Sequence, residues 1–105
     1  MMDTNTIARA DQASALSHRE EDGDYRGLVV VLNADWRVVT CRDGMQWILQ
    51  KYRGTKNGMA RYEGRAFCRT RAGLLRCIGV RCGEVLPASL DALRALPMVL
   101  VEERA

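Results

Sequence analysis

Histidine occurs once in the chain, at position 18, phenylalanine once, at 67, and proline twice in 105 residues. A lone histidine in an acidic N-terminal stretch leaves Ser/His and Cys/His catalytic pairings without a well-placed base. None of the four cysteines, at 41, 68, 77 and 82, has a C-x-x-C partner. A structural zinc site draws about four ligands from compact pairs, so no metal is assigned. These cysteines read instead as small buried apolar side chains, not as a disulfide framework. No apolar run approaches the roughly 20 residues that span a bilayer. The longest, LVVVL at 28–32, has the length of a buried strand. The first residues lack the basic start and apolar stretch of a secretory signal, which points to the cytoplasm. Glu63 has no partner carboxylate for glycosidase chemistry, and GTKNG at 54–58 is not a phosphate loop. Cys68, close to Arg69, Arg71 and an expected helix start, is the best nucleophile on offer, since positive neighbours lower a thiol pKa. Its plainer reading is a half-buried strand cysteine. The chain is therefore read as not an enzyme, with no catalytic residue and no cofactor.

Charge is present, and unevenly. The net charge is +3, but between 51 and 81 nine basic residues (51, 53, 56, 61, 65, 69, 71, 76 and 81) face only Glu63. Residues 1–50 carry eight acids against five arginines, and 82–105 four acids against two. A basic middle between acidic ends is an argument about partners, not about fold.

Residues 1–26 are polar and acidic, with few large apolar groups, and are expected to form a mobile tail with a short helix around 7–16. A single α+β domain is expected over 27–101, with 102–105 as a C-terminal tail. GLVVVL at 27–32 reads as a strand and NAD at 33–35 as a turn-like break. WRVVTCR at 36–42 and MQWILQKYR at 45–53 flank Asp43 and Gly44, a strong two-residue hairpin signal. With that loop, paired positions sum to 87. Trp36, Val38, Thr40, Trp47, Leu49 and Lys51 then share one face, taken as the core side. Arg37, Val39, Cys41, Gln46, Ile48, Gln50 and Tyr52 share the other, whose mixed character suits a half-exposed, contact-making sheet. It equally suits the wet side of an antiparallel sheet.

After a loop at 54–59 with an Asn-Gly signal, 60–69 reads as a third strand. If it is regular, Arg61, Arg65 and Arg69 share a face with Phe67; a bulge at Gly64 would break that parity. Thr70 is a good N-cap for a helix over 71–82, stopped by Gly83. Pro87 opens a shorter helix to 96, and MVLV at 98–101 reads as an edge strand or an extended tail. The expected architecture is an antiparallel meander of three or four strands, then one long and one short helix.

The expected binding residues follow. Lys51, Arg53, Lys56, Arg61, Arg65, Arg69 and Arg71 would contact phosphate, and Gln46, Gln50, Tyr52 and Phe67 would touch bases or a protein surface. The expected partner is DNA or RNA. The rival is a protein complex that handles nucleic acid, since Arg, Tyr and Trp also dominate protein interfaces. A solvated basic face, or arginines paired with the acidic tail, would make neither. Homodimerisation through an unprotected strand edge, LVVVL or MVLV, is a further expectation.

The segments LNADWRVVTCRDGMQWILQ (32–50) and GRAFCRTRAGLLRC (64–77) resemble a pattern of small uncharacterised proteins of alphaproteobacteria, often in mobile-element or prophage settings. The resemblance spans roughly 28–96. It implies a genomic setting and no mechanism. The setting suits a DNA-binding accessory protein, or an inhibitor of a host defence system such as a CRISPR effector.

Overall fold

Two glycine turns organise the centre of the molecule, of which a computed structural model describes residues 16–101. Four strands, β1 (Leu28–Val31), β2 (Trp36–Thr40), β3 (Trp47–Lys56) and β4 (Met59–Cys68), are followed by helices α1 (Arg71–Arg81) and α2 (Pro87–Arg94). The strands form one antiparallel sheet in the order β1-β2-β3-β4, and the fold is α+β.

The register of β2 on β3 follows the sequence reading, with Trp36 opposite Lys51, Val38 opposite Leu49 and Thr40 opposite Trp47. The turn does not. Cys41 O accepts from Gly44 N and Cys41 N donates to Gln46 O, both at 2.9 Å, so residues 42–45 form the loop. A type I′ turn needs positive φ at both central residues. Here Gly44 alone has it, at 70°. The tight turn is Asn57 and Gly58, with φ of 54° and 80°, which carries β3 on to Lys56 and starts β4 at Met59.

Trp36, Val38, Trp47 and Leu49 pack with Leu32 against Leu74, Ile78 and Cys82 of the first helix region and Leu93 of α2. Fully burying side chains of this size stabilises by about 1.5–3 kcal/mol each. Thr70 caps α1 by accepting from Gly73 N at 3.0 Å. Asn33 Nδ2 donates to Cys82 O and Glu84 O, at 2.9 and 2.8 Å, tying the β1–β2 connection to the end of that helix.

The opposite face is covered over Arg37, Val39, Ile48 and Gln50, which corrects the expectation of a contact-making sheet for that part of it. Residues 17–25 cross it as a strap. Glu21 O accepts from Tyr62 N and Gly23 N donates to Ala60 O, both at 2.8 Å, placing 21–23 along the free edge of β4. Tyr25 then packs on Val39 and Ile48, and its hydroxyl donates to Thr40 O at 2.8 Å. The mobile-tail reading therefore fails for 17–26. Composition counts apolar groups, and misses that one tyrosine and a ladder of backbone bonds suffice once a sheet is there to receive them. The rest of that tail, nearly all of the short helix expected at 7–16, and 102–105 lie outside the described residues.

The expected open edges are also occupied in part. Val31 O accepts from the Ser89 hydroxyl and Leu32 O from Leu86 N at 2.9 Å, so the start of α2 caps the end of β1. Arg71 N donates to Met98 O at 2.8 Å, and Thr70 faces Val99, so the expected last strand is a single bridge beyond the end of β4. Covering an edge in this way shortens the template for strand pairing between copies. Among the described residues no helix is long and apolar enough to cross a membrane.

Candidate nucleic-acid interface

Gln50 and Arg71, expected as contact residues, are structural. Gln50 is 2% exposed; its Oε1 accepts from Arg37 Nε at 2.7 Å and its Nε2 donates to Glu20 O at 2.9 Å. The strap buries it. Arg71 donates to Arg94 O at 3.1 Å and Leu96 O at 2.9 Å, satisfying carbonyls at the end of α2 that the helix leaves without partners.

Arg61, Arg65 and Arg69 do not form one regular row. Leu49 faces Ala66 and Gln50 faces Gly64, so Arg65 is the extra residue of a bulge. The parity breaks where Gly64 allows it to. Arg61 Nε lies 3.6 Å from Asp22 Oδ1 of the strap. Arg53 and Arg65 both reach Glu63 Oε1, Arg65 at 3.4 Å. The hydrogen bond from Arg53 holds the Glu63 carboxyl below the usual carboxylate range, and the charges of Arg53 and Arg65 act in the same sense.

Of the remaining positions, Lys51, Tyr52, Lys56 and Phe67 lie on the same hairpin, and Gln46 and Arg69 lie outside it. Beyond the pairing of Trp36 with Lys51, β3 and β4 continue past β2 as a two-stranded ribbon. Lys51 stands at its root, its ammonium 5.9 Å from the Trp36 ring. Tyr52 is half-buried and meets Tyr62 edge-on, ring centroids 5.7 Å apart. Lys56 is exposed at the tip, and Arg53 and Arg65 are exposed along the shaft. Arg69 is exposed where the C-terminal segment pairs, and Gln46 is half-buried in the β2–β3 loop. Phe67, opposite Ile48, is 58% exposed. Between 51 and 65 the hairpin bears five basic residues and one acid.

Arg37 is the residue the sequence reading left without a role. It is 2% exposed. Besides Gln50, its guanidinium donates to Gly23 O at 3.0 Å, Glu20 O at 3.0 Å and Asp22 O at 2.8 Å, and it stacks 3.7 Å from the centre of the Tyr62 ring. Burial pushes its pKa below the usual arginine value, against the pull of nearby oxygens. The signal was present: in the register summing to 87, Arg37 and Gln50 face each other on the mixed side.

Cys68 is not an activated thiol. Burial is the first cause that raises its pKa from 9.0 to about 11, and the Cys77 thiol, with sulfurs 3.9 Å apart, adds to it. Burial likewise raises Cys82 to about 11. The fold thus favours both neutral thiols, and between these values the native state holds more protons than the unfolded chain. Stability from these groups is fully present below about pH 9 and is lost as pH rises toward 11. A urea midpoint that falls over this range, and falls less in a Cys68→Ala/Cys82→Ala chain, is expected; equal slopes in the two chains would contradict it.

No family model, curated protein or solved structure matches this chain.

Proposed function

We propose that the protein binds nucleic acid through the phosphate backbone, using the β3–β4 ribbon as its contact element. The observation that carries this reading is the β3–β4 hairpin, which runs on past β2 with residues 21–23 of the strap along one edge and bears five basic residues and one acid between 51 and 65. Two-stranded ribbons fit nucleic-acid grooves, and phosphate contacts supply most of the affinity in sequence-independent binding. The pairs of Arg53 and Arg65 with Glu63 do not oppose it, because exposed ion pairs are weak and phosphate can replace the carboxylate; Arg61, partly buried against Asp22, would have to exchange that partner. With Gln50 buried, the reading is of backbone contact with little sequence preference. Arg53, Lys56, Arg61 and Arg65 are the expected phosphate ligands, with Lys51 and Arg69 flanking.

Electrophoretic mobility shift with labelled DNA and RNA tests this. Binding at low salt that weakens steeply between 50 and 200 mM salt is expected, by about 10²-fold if four phosphates are neutralised. No shift of either nucleic acid at low salt would overturn the reading.

A second reading, an inhibitor or adaptor encoded by a mobile element and docking on a host complex, is favoured by one observation. Met45, Val99 and Val101 are exposed around Arg69 and share a cleft with it, and Met98 beside them is 72% exposed. A stoichiometric protein partner retained after nuclease treatment of a host lysate supports this reading.

A further inference from the structure

Phe67 is the only aromatic side chain among the described residues that is mostly exposed. The other five are packed: Tyr25, Trp36 and Trp47 are buried, and Tyr52 and Tyr62 lean on each other. The position of Phe67 is set by the bulge. Its register partner is Ile48, so it stands on the strap side of the sheet. There its ring lies back over Gly64. A Cβ at Gly64 would meet Phe67 Cζ at 2.9 Å and Ile48 Cγ2 at 3.2 Å, so only glycine leaves room for this posture.

Beside the ring opens a cleft of about 400 Å³, lined by Ile48 and Gly64 of the sheet, Glu20 and Glu21 of the strap, and Arg53, Arg61 and Glu63 of the hairpin. We infer that this cleft takes one unpaired nucleobase, stacked on Phe67, with the neighbouring phosphates held outside it by Arg53, Arg61 and Arg65. This rests on the nucleic-acid reading above and names its ligand class as single-stranded.

Three features direct the ligand. An exposed aromatic face stacks on any base, but in a duplex the base faces are already covered by their neighbours. Three carboxylates line the cleft, Glu20, Glu21 and Glu63, of which Glu21 pairs with Arg19 and Glu20 accepts from Arg42 N; they disfavour phosphate inside it, so a nucleotide enters base first and leaves its charge at the rim. The rim is where the arginines lie, two of them sharing one carboxylate and so leaving a net positive charge for phosphate. Stacking on aromatics is tolerant of base identity, in accord with a site whose one buried amide, Gln50, is already engaged.

Fluorescence anisotropy with a labelled single-stranded oligonucleotide and its duplex, at one salt concentration, is the test. The wild-type chain is expected to bind the single strand more tightly. Phe67→Ala is expected to weaken single-strand binding about tenfold or more while leaving duplex binding unchanged. Phe67→Leu keeps apolar bulk over Gly64 without a π face and is expected to show the same selective loss, whereas Phe67→Trp retains binding. Equal single-strand affinity in the wild-type, Ala and Leu chains would overturn the base site and leave backbone binding standing. A wild-type chain that binds neither oligonucleotide at low salt would overturn the parent reading as well.

Discussion

Arg37→Ala is expected to lower the unfolding free energy by about 3–5 kcal/mol, the range for removing one partner from a buried charged network. The guanidinium carries five N–H donors in a planar fork. Here it joins the amide of Gln50 to the carbonyls of Glu20, Asp22 and Gly23, so one side chain holds three carbonyls of the strap on the sheet. Truncation leaves Gly23 O and Gln50 Oε1 without a donor and removes one of two from Glu20 O and Asp22 O, and each acceptor left unpaired costs about 1–3 kcal/mol unless the segment opens to water. The strap is therefore expected to peel before the sheet unfolds. In hydrogen exchange, the amides of Gly23, Arg26 and Tyr62, which bond to Ala60, Ser17 and Glu21, should lose protection before those of the β2–β3 ladder. Arg37→Lys is not a rescue, because a tetrahedral ammonium offers three donors and cannot match the fork. A change in urea-derived stability below about 0.5 kcal/mol for Arg37→Ala, the size expected of an ordinary surface site, would show that the strap is held by other means.

The second large effect is on binding. Replacing Arg53, Lys56 and Arg65 together by glutamate is expected to weaken nucleic-acid binding by 10²-fold or more near 0.1 M salt. The magnitude follows from counterion release: each neutralised phosphate contributes a factor of about 5–8 at that salt, so three contribute about 10² or more. All three side chains are at the surface, with side-chain exposures of 57% and 39% for Arg53 and Arg65 and Lys56 at the exposed tip, so thermal stability is expected to change little. Affinity within threefold of the wild-type value for the triple variant would remove the ribbon from the interface.

The sheet was legible because its information is local. Alternation on either side of Gly44 specifies which residues of β2 and β3 oppose each other, and a slip of one position would put both tryptophans on the wrong face. Thr70, Gly83 and Pro87 each mark a helix end through their own backbone preferences, and the structure uses all three. The two glycine turns were harder to rank. Asp43 and Gly44 looked like the tight turn, yet only Asn57 adopts the positive φ that a non-glycine residue must take in a type I′ turn.

The candidate site was read less well, for a physical reason. Whether Gln50, Arg61 or Arg71 faces a partner depends on what packs over them from distant parts of the chain: Glu20 and Asp22 in the strap, and the end of α2. Those contacts span tens of residues, and no periodicity encodes them. Gly64 flagged the bulge that breaks the arginine row, but nothing local said that Arg65 would be the residue left unpaired. Phe67 was placed among the contact residues by type alone; the room its ring takes over Gly64 depends on the absence of a Cβ there.

The most direct test of the ribbon as the phosphate-binding element is the dependence of log K on log salt, measured in parallel for the wild-type chain and for Arg53→Ala/Lys56→Ala/Arg65→Ala. Each lost phosphate contact flattens the slope by about 0.7 on a single strand and about 0.9 on a duplex. The triple variant is therefore expected to be shallower than wild type by about 2–3. Equal slopes in the two chains, at whatever affinity, would contradict the account.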